Sequence, residues 1–527
     1  MKKIISILVI GCLLATTIVS VNACNVAYKQ TQKNTSGAFD GYILFSPLQG
    51  LGTYLVNNNK IIVHSWHTIH LGCDAHLLEN RNLLRTCFIS NRVFPIGGRS
   101  GAVEMYNWNG ICLWNFTLSD SHSCIHHDIE PLPNGNVLMI VWENKTRNEA
   151  IAAGRNPIFV DDEGLWPDYI IEVKPTYPEG GTIVWEWHAW DHLIQDFDST
   201  KNNYGVVADH PELIDINFDN PTGPFVCADW MHSNSIDYNP HFDQILISSR
   251  NLNEIFIIDH STTTEEARGH TDGNSGKGGD ILYRWGNPQN YRAGDSNDQK
   301  CKANHDARWV EPGCPGAGHI TFYNAFKGLD SIDEIVPPVD ANGHYTLNPG
   351  EAYGPNEPIW SYSVDGAGWS GCQRIPNGNT VAAVDATLIV VTPDKNLVWQ
   401  YNQISPPLDA IWKLEYYNSD YPGVKSLSLN LENDQAVKVD NLQPLRLLLR
   451  LQLVKTVVLC NIVTTPTNTP ATTTTTATLA APFSSQPSTN QQSVPAATTL
   501  ISTPTATTIT TATSTAPTSK SSLTARR

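Results

Sequence analysis

Positive charge is scarce in this 527-residue chain: 34 Lys and Arg stand against 51 Asp and Glu, a formal net charge of −17. That balance excludes nucleic acid and an anionic membrane surface as partners. It leaves room for a local cationic pocket around a small anion, because exposed charges beyond about 8–10 Å are screened at physiological salt. Membrane-spanning runs are also lacking after the N-terminus. The apolar stretch from Leu445 to Val463 carries Arg446, Arg450 and Lys455 in its interior, which rules it out as a span. Between Gly41 and Gly423 amphipathic helical patterning is scarce as well, and that excludes helical bundles and α/β folds.

What is present begins with a targeting signal. Lys2 and Lys3 precede an apolar run from Ile4 to about Val21, and Val21-Asn22-Ala23 supplies a small-residue exit. Residues 1–23 therefore read as a secretory signal peptide. The mature protein is expected to be secreted, periplasmic or at the cell surface. A lipid anchor on Cys24 is the less favoured alternative, since Asn22 fits a lipoprotein signal poorly. Ten of the eleven cysteines follow the signal, and export permits disulfides whose pairing the sequence does not give.

The remainder divides by composition. Residues 24–39 form a short N-terminal segment, 40–423 a folded domain, and 424–463 a stretch without assignable character. From 464 to 527 Thr, Ser, Pro and Ala dominate, too polar to bury a core and read as a disordered tail. The 40–423 domain is a succession of short β-branched and aromatic runs separated by Gly, Pro, Asn and Asp turns, the signature of an all-β fold. Six apolar runs end in a tryptophan, at Trp66, Trp114, Trp187, Trp285, Trp360 and Trp399. Turns such as PLPNGNVLM at Pro131 and RIPNGNTVA at Arg374 recur between them, where Asn-Gly suits a tight hairpin. Six repeats predict a six-bladed β-propeller. The first blade supplies three strands, and AIWKLEYY from Ala410 is expected to complete it and close the ring.

Aligning the innermost strands on their turns sets His127 level with His232, each seven residues before an Asn (Asn134 and Asn239). His305 joins them through the matched pairs His127-Asp128 and His305-Asp306. Cys73 and Ser370 fall at the same level in the second and sixth blades. Arg250, at the end of ILISSR, follows the strand that His232 leads and can turn its planar fork toward an oxyanion. Taken singly, each histidine is more simply a polar residue satisfied by backbone; three in register point to a site. Three histidines can also hold a metal, but Arg250 beside them repels a cation, so neither metal nor cofactor is expected.

The runs HHDIEPLPNGN at His126, VWEWHAWDHLIQDFD at Val184, DWMHSNSIDYN at Asp229, EIFIIDHSTTTEEA at Glu254, KGGDILYRWGNPQNYRAG at Lys277 and HDARW at His305 resemble the bacterial, nucleotide-independent aryl-sulfate sulfotransferases. The likeness spans roughly 40–423. It implies that His305 is the nucleophile that takes the sulfuryl group. It further implies that His127, His232 and Arg250 hold the sulfate oxygens, with Asn234 a further donor. The donor would be an aryl sulfate and the acceptor a phenol, exchanged in ping-pong fashion through a sulfohistidine. The propeller begins about sixteen residues after the signal, so the N-terminal β-sandwich of some relatives is not expected, and the oligomeric state stays open. Ala303-Asn304 also precedes His305 where relatives often carry Gly-Gln.

Cys301 and Cys314 bracket His305, and a disulfide between them would pin that loop; two unrelated small apolar residues are the plain alternative. Trp185, Trp187 and Trp190, with His188 and His192, are read as a packed lid beside the channel mouth. GNSGKGGD from Gly273 lacks the Gly spacing and the Ser/Thr of a phosphate loop and reads as a hairpin. Cys314-Pro315-Gly316 is not the Cys-x-Pro-x-Arg nucleophile motif of a sulfatase. A noncatalytic propeller that binds glycans or sulfated ligands, and a His-ligated metalloenzyme, are the competing functional classes.

Overall fold

All six tryptophan-ended runs become the outermost strands of four-stranded antiparallel sheets, the blades of a six-bladed β-propeller. The computed structural model describes residues 38–428, apart from 49, 161, 219–227, 326–329, 367 and 403–409. The signal peptide over 1–23, nearly all of 24–39, most of 424–463 and the tail 464–527 lie outside the described residues. The chain divides into two units at Lys438, and the sheets belong to the first. No helix among the described residues is long and apolar enough to cross a membrane.

From the axis outward, the second blade runs Ala75–Leu77, Leu83–Phe88, Gly101–Tyr106 and Cys112–Thr117. The third runs Ser123–Pro131, Val137–Glu143, Asp168–Pro175 and Gly181–His188. The inner strands of the fourth, fifth and sixth blades are Ser233–Asn239, His305–Trp309 and Cys372–Arg374. In the first blade the innermost strand is Ile411–Tyr417, which pairs antiparallel with Tyr42–Pro47. The last strand of the ring thus completes the first blade, as the three-strand count predicted.

The six tryptophans explain why the repeat is written in that residue. Each fills the space between its blade and the next, and each indole N–H donates to a backbone carbonyl of the following blade. The pairs are Trp66 to Asn107 (3.1 Å), Trp114 to Gly180 (2.7 Å), Trp187 to Gly279 (2.7 Å), Trp285 to Pro355 (2.6 Å), Trp360 to Pro393 (2.8 Å) and Trp399 to Asn58 (2.8 Å). A large apolar body with one donor at its edge suits a position that is dry on its faces and meets a carbonyl at its rim.

On the axial side the unpaired edges of the inner strands meet side chains of neighbouring blades. Asp128 accepts from the Ile236 amide (2.9 Å), Asp237 from Trp309 (2.7 Å), Asp306 from Cys372 (2.8 Å), and Gln373 from Tyr416 (2.8 Å). These bonds link the third blade round to the first and satisfy donors that would otherwise be buried alone. Lys413 stands among them. Its ammonium lies 2.8 Å from both oxygens of Asp128, 3.8 Å from Asp306 and 3.9 Å from Asp74. Burial alone would lower it; Asp128, and then Asp74 and Asp306, hold it protonated and above the ordinary lysine range.

Two expectations need correction. Cys301 and Cys314 are separate thiols, both buried. The extended strand His305–Trp309 lies between them, a separation of roughly 16 Å at strand rise, well beyond disulfide reach. Cys301 packs against Gly286, whereas Cys314 faces a cavity with Arg374 and Tyr416. The tryptophan-rich segment is not a lid. It forms the outer strand of the third blade, where Trp185 and Trp187 pack with Phe256 of the fourth blade and His192 is buried against Trp187.

Candidate active site

The inner strands of the third, fourth and fifth blades share an irregularity. Their pairing register shifts between Ile125 and Ile129, between Ser233 and Ser235, and between His305 and Arg308. At these bulges His127, His232 and Asp306 adopt left-handed backbone, with φ of +52°, +49° and +50°. Bulges re-aim side chains at the end of a strand, and non-glycine residues with positive φ are uncommon enough to mark a constrained position. Beside them the His127, His232 and His305 rings come together, while the Asp306 carboxylate turns to Arg308 and Cys372.

The His127 and His232 rings lie 4.5 Å apart, centroid to centroid. His127 and His305 both rest against Trp412, at 5.2 and 5.1 Å. Arg250 is close enough to both His127 and His305 to depress their protonation. His127, His232, His305 and Arg250 therefore cluster at one end of the inner strands. His127 is 1% and His305 2% exposed, so burial strips water from both rings.

Hydrogen bonds fix each imidazole. His305 Nδ1 lies 2.7 Å from the Ala303 carbonyl. A carbonyl only accepts, so Nδ1 carries the proton and Nε2 keeps the lone pair. Burial, and then the Arg250 charge, push the His305 imidazolium down to about 3, so at neutral pH the ring is uncharged. His127 is held well below the ordinary histidine range by burial and then by His232, His126 and His305. Its Nδ1 meets His126 Nδ1 at 2.8 Å, and His126 stacks on Trp142. Gly98 lies against the His127 ring: a Cβ there would fall 1.9 Å from the imidazole. Only glycine permits that approach at its φ of +81°.

His232 Nδ1 is bound to the Asp229 carboxylate in a short hydrogen bond, and Trp142 Nε1 donates to the other oxygen at 2.9 Å. Asp229 thus orients His232 with Nδ1 protonated and Nε2 turned away from the bond. The Arg250 amide donates to the His232 carbonyl (3.2 Å) and its guanidinium to Asn251 (2.9 Å). Asn234 takes a different place from the one expected. Its amide donates to the Asn304 carbonyl at 2.7 Å, bracing the backbone just before His305. Asn304 in turn donates to Ser248 and to the Glu254 carbonyl, so Ala303-Asn304 is tied to the fourth blade. Of the two other residues at this level, Cys73 directs its thiol to the His127 carbonyl at 3.7 Å, and Ser370 donates to its neighbour Trp369.

Three contributors escaped the sequence reading. Asp229 sits three residues before His232 in DWMHSNS, where its role depends on a turn that no periodicity announces. Trp412 was read only as part of the closing strand. His126 adjoins His127 and looks like its duplicate. The Asp that follows the channel residue in Cys73-Asp74, His127-Asp128 and His305-Asp306 marks the carboxylate layer around Lys413 and signals none of these three.

No curated protein matches the chain. Among solved structures, a protein of unknown function from Bacteroides caccae aligns over 71% of this chain and 98% of its own, at 10% identity and a TM-score of 0.38. Kluyveromyces lactis Hsv2 aligns over 72% and 82% (11%, 0.29), and the Dos1 propeller over 70% and 73% (6%, 0.30). The arylsulfotransferase (ASST) family model matches residues 88–265. That segment holds His127, His232, Asn234 and Arg250 and stops short of His305, and over it the chain is similar to the arylsulfotransferase family.

Proposed function

We propose that the protein transfers a sulfuryl group from an aryl sulfate to a phenol through a sulfohistidine at His305. The carrying observation is a buried imidazole with its proton fixed on Nδ1, beside a guanidinium and two further imidazoles from neighbouring blades. In the first half, the His305 Nε2 lone pair attacks sulfur and the S–O bond to the aryl group breaks, releasing phenol after protonation. Arg250 and His127 face the charge that gathers on the sulfuryl oxygens, the kind of preorganised help that contributes most in a dry site. In the second half, the acceptor phenol loses its proton to His232 Nε2, attacks the sulfuryl group and frees His305. Asp229 stabilises the imidazolium that results, as an oriented carboxylate does. Trp412, against both His127 and His305, offers a flat wall for the aryl rings.

Mass spectrometry of protein quenched after mixing with a chromogenic aryl sulfate tests the scheme. An added sulfuryl mass on the His305 peptide, absent in His305→Ala, is the expected result. Transfer retained by a folded His305→Ala protein removes His305 from the nucleophile role. A propeller that only binds sulfated glycans would release no phenol at all.

A further inference from the structure

The second blade holds a group of donors that the active site does not use. Cys87, on Leu83–Phe88, pairs across the sheet with Ala102, two residues before Glu104 on Gly101–Tyr106, so both point to one face of the blade. His70 arrives on the linker from the first blade, its carbonyl held by the Thr68 hydroxyl at 2.9 Å. Cys87 Sγ lies 2.8 Å from Glu104 Oε2, and His70 Nδ1 lies 2.8 Å from Glu104 Oε1. One donor atom from each of the three residues falls within 4.8 Å of the others. Cys87 is fully buried and Glu104 7% exposed, whereas the His70 side chain is 36% exposed. The group is therefore dry at its base and open on one side.

We infer that Cys87, Glu104 and His70 form a binding site for a transition-metal ion of the zinc class. Thiolate, imidazole and carboxylate together suit zinc and its borderline neighbours, whereas calcium and magnesium take oxygen alone. Three protein ligands with one open side match a four-coordinate site that keeps a place for water. Cys87 and Glu104 are set by sheet pairing and the linker at His70 by the Thr68 hydroxyl, so little ordering is required on binding. The Tyr106 hydroxyl donates to Glu104 and steadies the carboxylate, the usual part of an outer partner. A thiol binds metal as its thiolate, so binding displaces the Cys87 proton to solvent.

The test uses the full chain, stripped with a chelator and titrated with cobalt(II) and then zinc(II). Expected are one ion per chain, thiolate-to-cobalt charge-transfer absorption in the near ultraviolet, release of one proton per ion, and displacement of cobalt by zinc. Cys87→Ser should abolish the charge-transfer band. His70→Gln, at a half-exposed position, should keep the thermal melt and weaken affinity about tenfold or more. Absence of the band in the wild-type protein, its persistence in Cys87→Ser, or unchanged affinity in His70→Gln overturns the assignment. None of these readouts depends on sulfuryl transfer.

Discussion

His305 makes the fold acid-sensitive in a way that can be measured without any substrate. Its imidazole ionises near 6.5 in the unfolded chain and near 3 in the folded protein. A histidine whose folded value is depressed contributes stability that is complete above 6.5 and is lost as pH falls toward 3, because the unfolded state binds the extra proton over that window. At pH 5 the loss spans 1.5 pH units, and one unit corresponds to about 1.36 kcal/mol, so His305 alone removes about 2 kcal/mol between pH 7 and pH 5. His305→Gln takes away this titration while keeping a donor for the Ala303 carbonyl. The variant should lose about 1 kcal/mol at pH 7 from imperfect hydrogen bonding, yet its decline to pH 5 should be about 2 kcal/mol smaller than that of the wild type. Urea unfolding at the two pH values gives both numbers. An identical pH decline in wild type and variant would refute the buried, neutral imidazole on which the site chemistry rests. His127, depressed in the same direction, should leave a residual acid sensitivity in His305→Gln.

Other perturbations follow from particular contacts. Lys413→Met removes the cation between Asp128, Asp74 and Asp306 and should destabilise the protein by about 3–5 kcal/mol, read from denaturant unfolding; a loss under 1 kcal/mol would mean the carboxylates do not need it. Gly98→Ala drives a methyl group into the His127 ring from left-handed backbone, and should cost at least about 1–2 kcal/mol and shift the imidazole resonances of His127 by NMR. Asp229→Asn should lower turnover with a phenol acceptor by about 100-fold or more while leaving release of the first phenol from a chromogenic donor less affected, a split that burst kinetics resolves.

The repeat was legible because it obeys local chemistry. Tryptophan in each outer strand, Asn-Gly at the hairpins and a first blade short of one strand are all consequences of chain periodicity, and each fell in the blade where it was expected. The site was legible in part. His127 and His232 were set level by register, since those blades repeat the same length between channel residue and turn, His305 joined them through its matched His-Asp pair, and Arg250 through its place at the end of the next strand. Asn234 was assigned to the substrate from the resemblance, whereas its amide supports the Asn304 carbonyl. Cys301 and Cys314 were close in sequence, but an extended strand spends that closeness on distance. The tryptophan-rich run looked like a lid because its composition suits one; strand pairing with Asp168–Pro175 puts it on the outside of the blade.

By itself, then, the sequence determined the number of blades, the closure of the ring and the level at which its histidines meet, because these depend on spacing along one chain. Tertiary structure alone decided which side chains orient them. Asp229 reaches His232 through a turn, Trp412 returns from the far end of the domain to touch His127 and His305, and bulges in three separate blades aim the rings inward. Contacts between residues distant in the chain are fixed by packing and by the satisfaction of buried polar groups, and no local period records them.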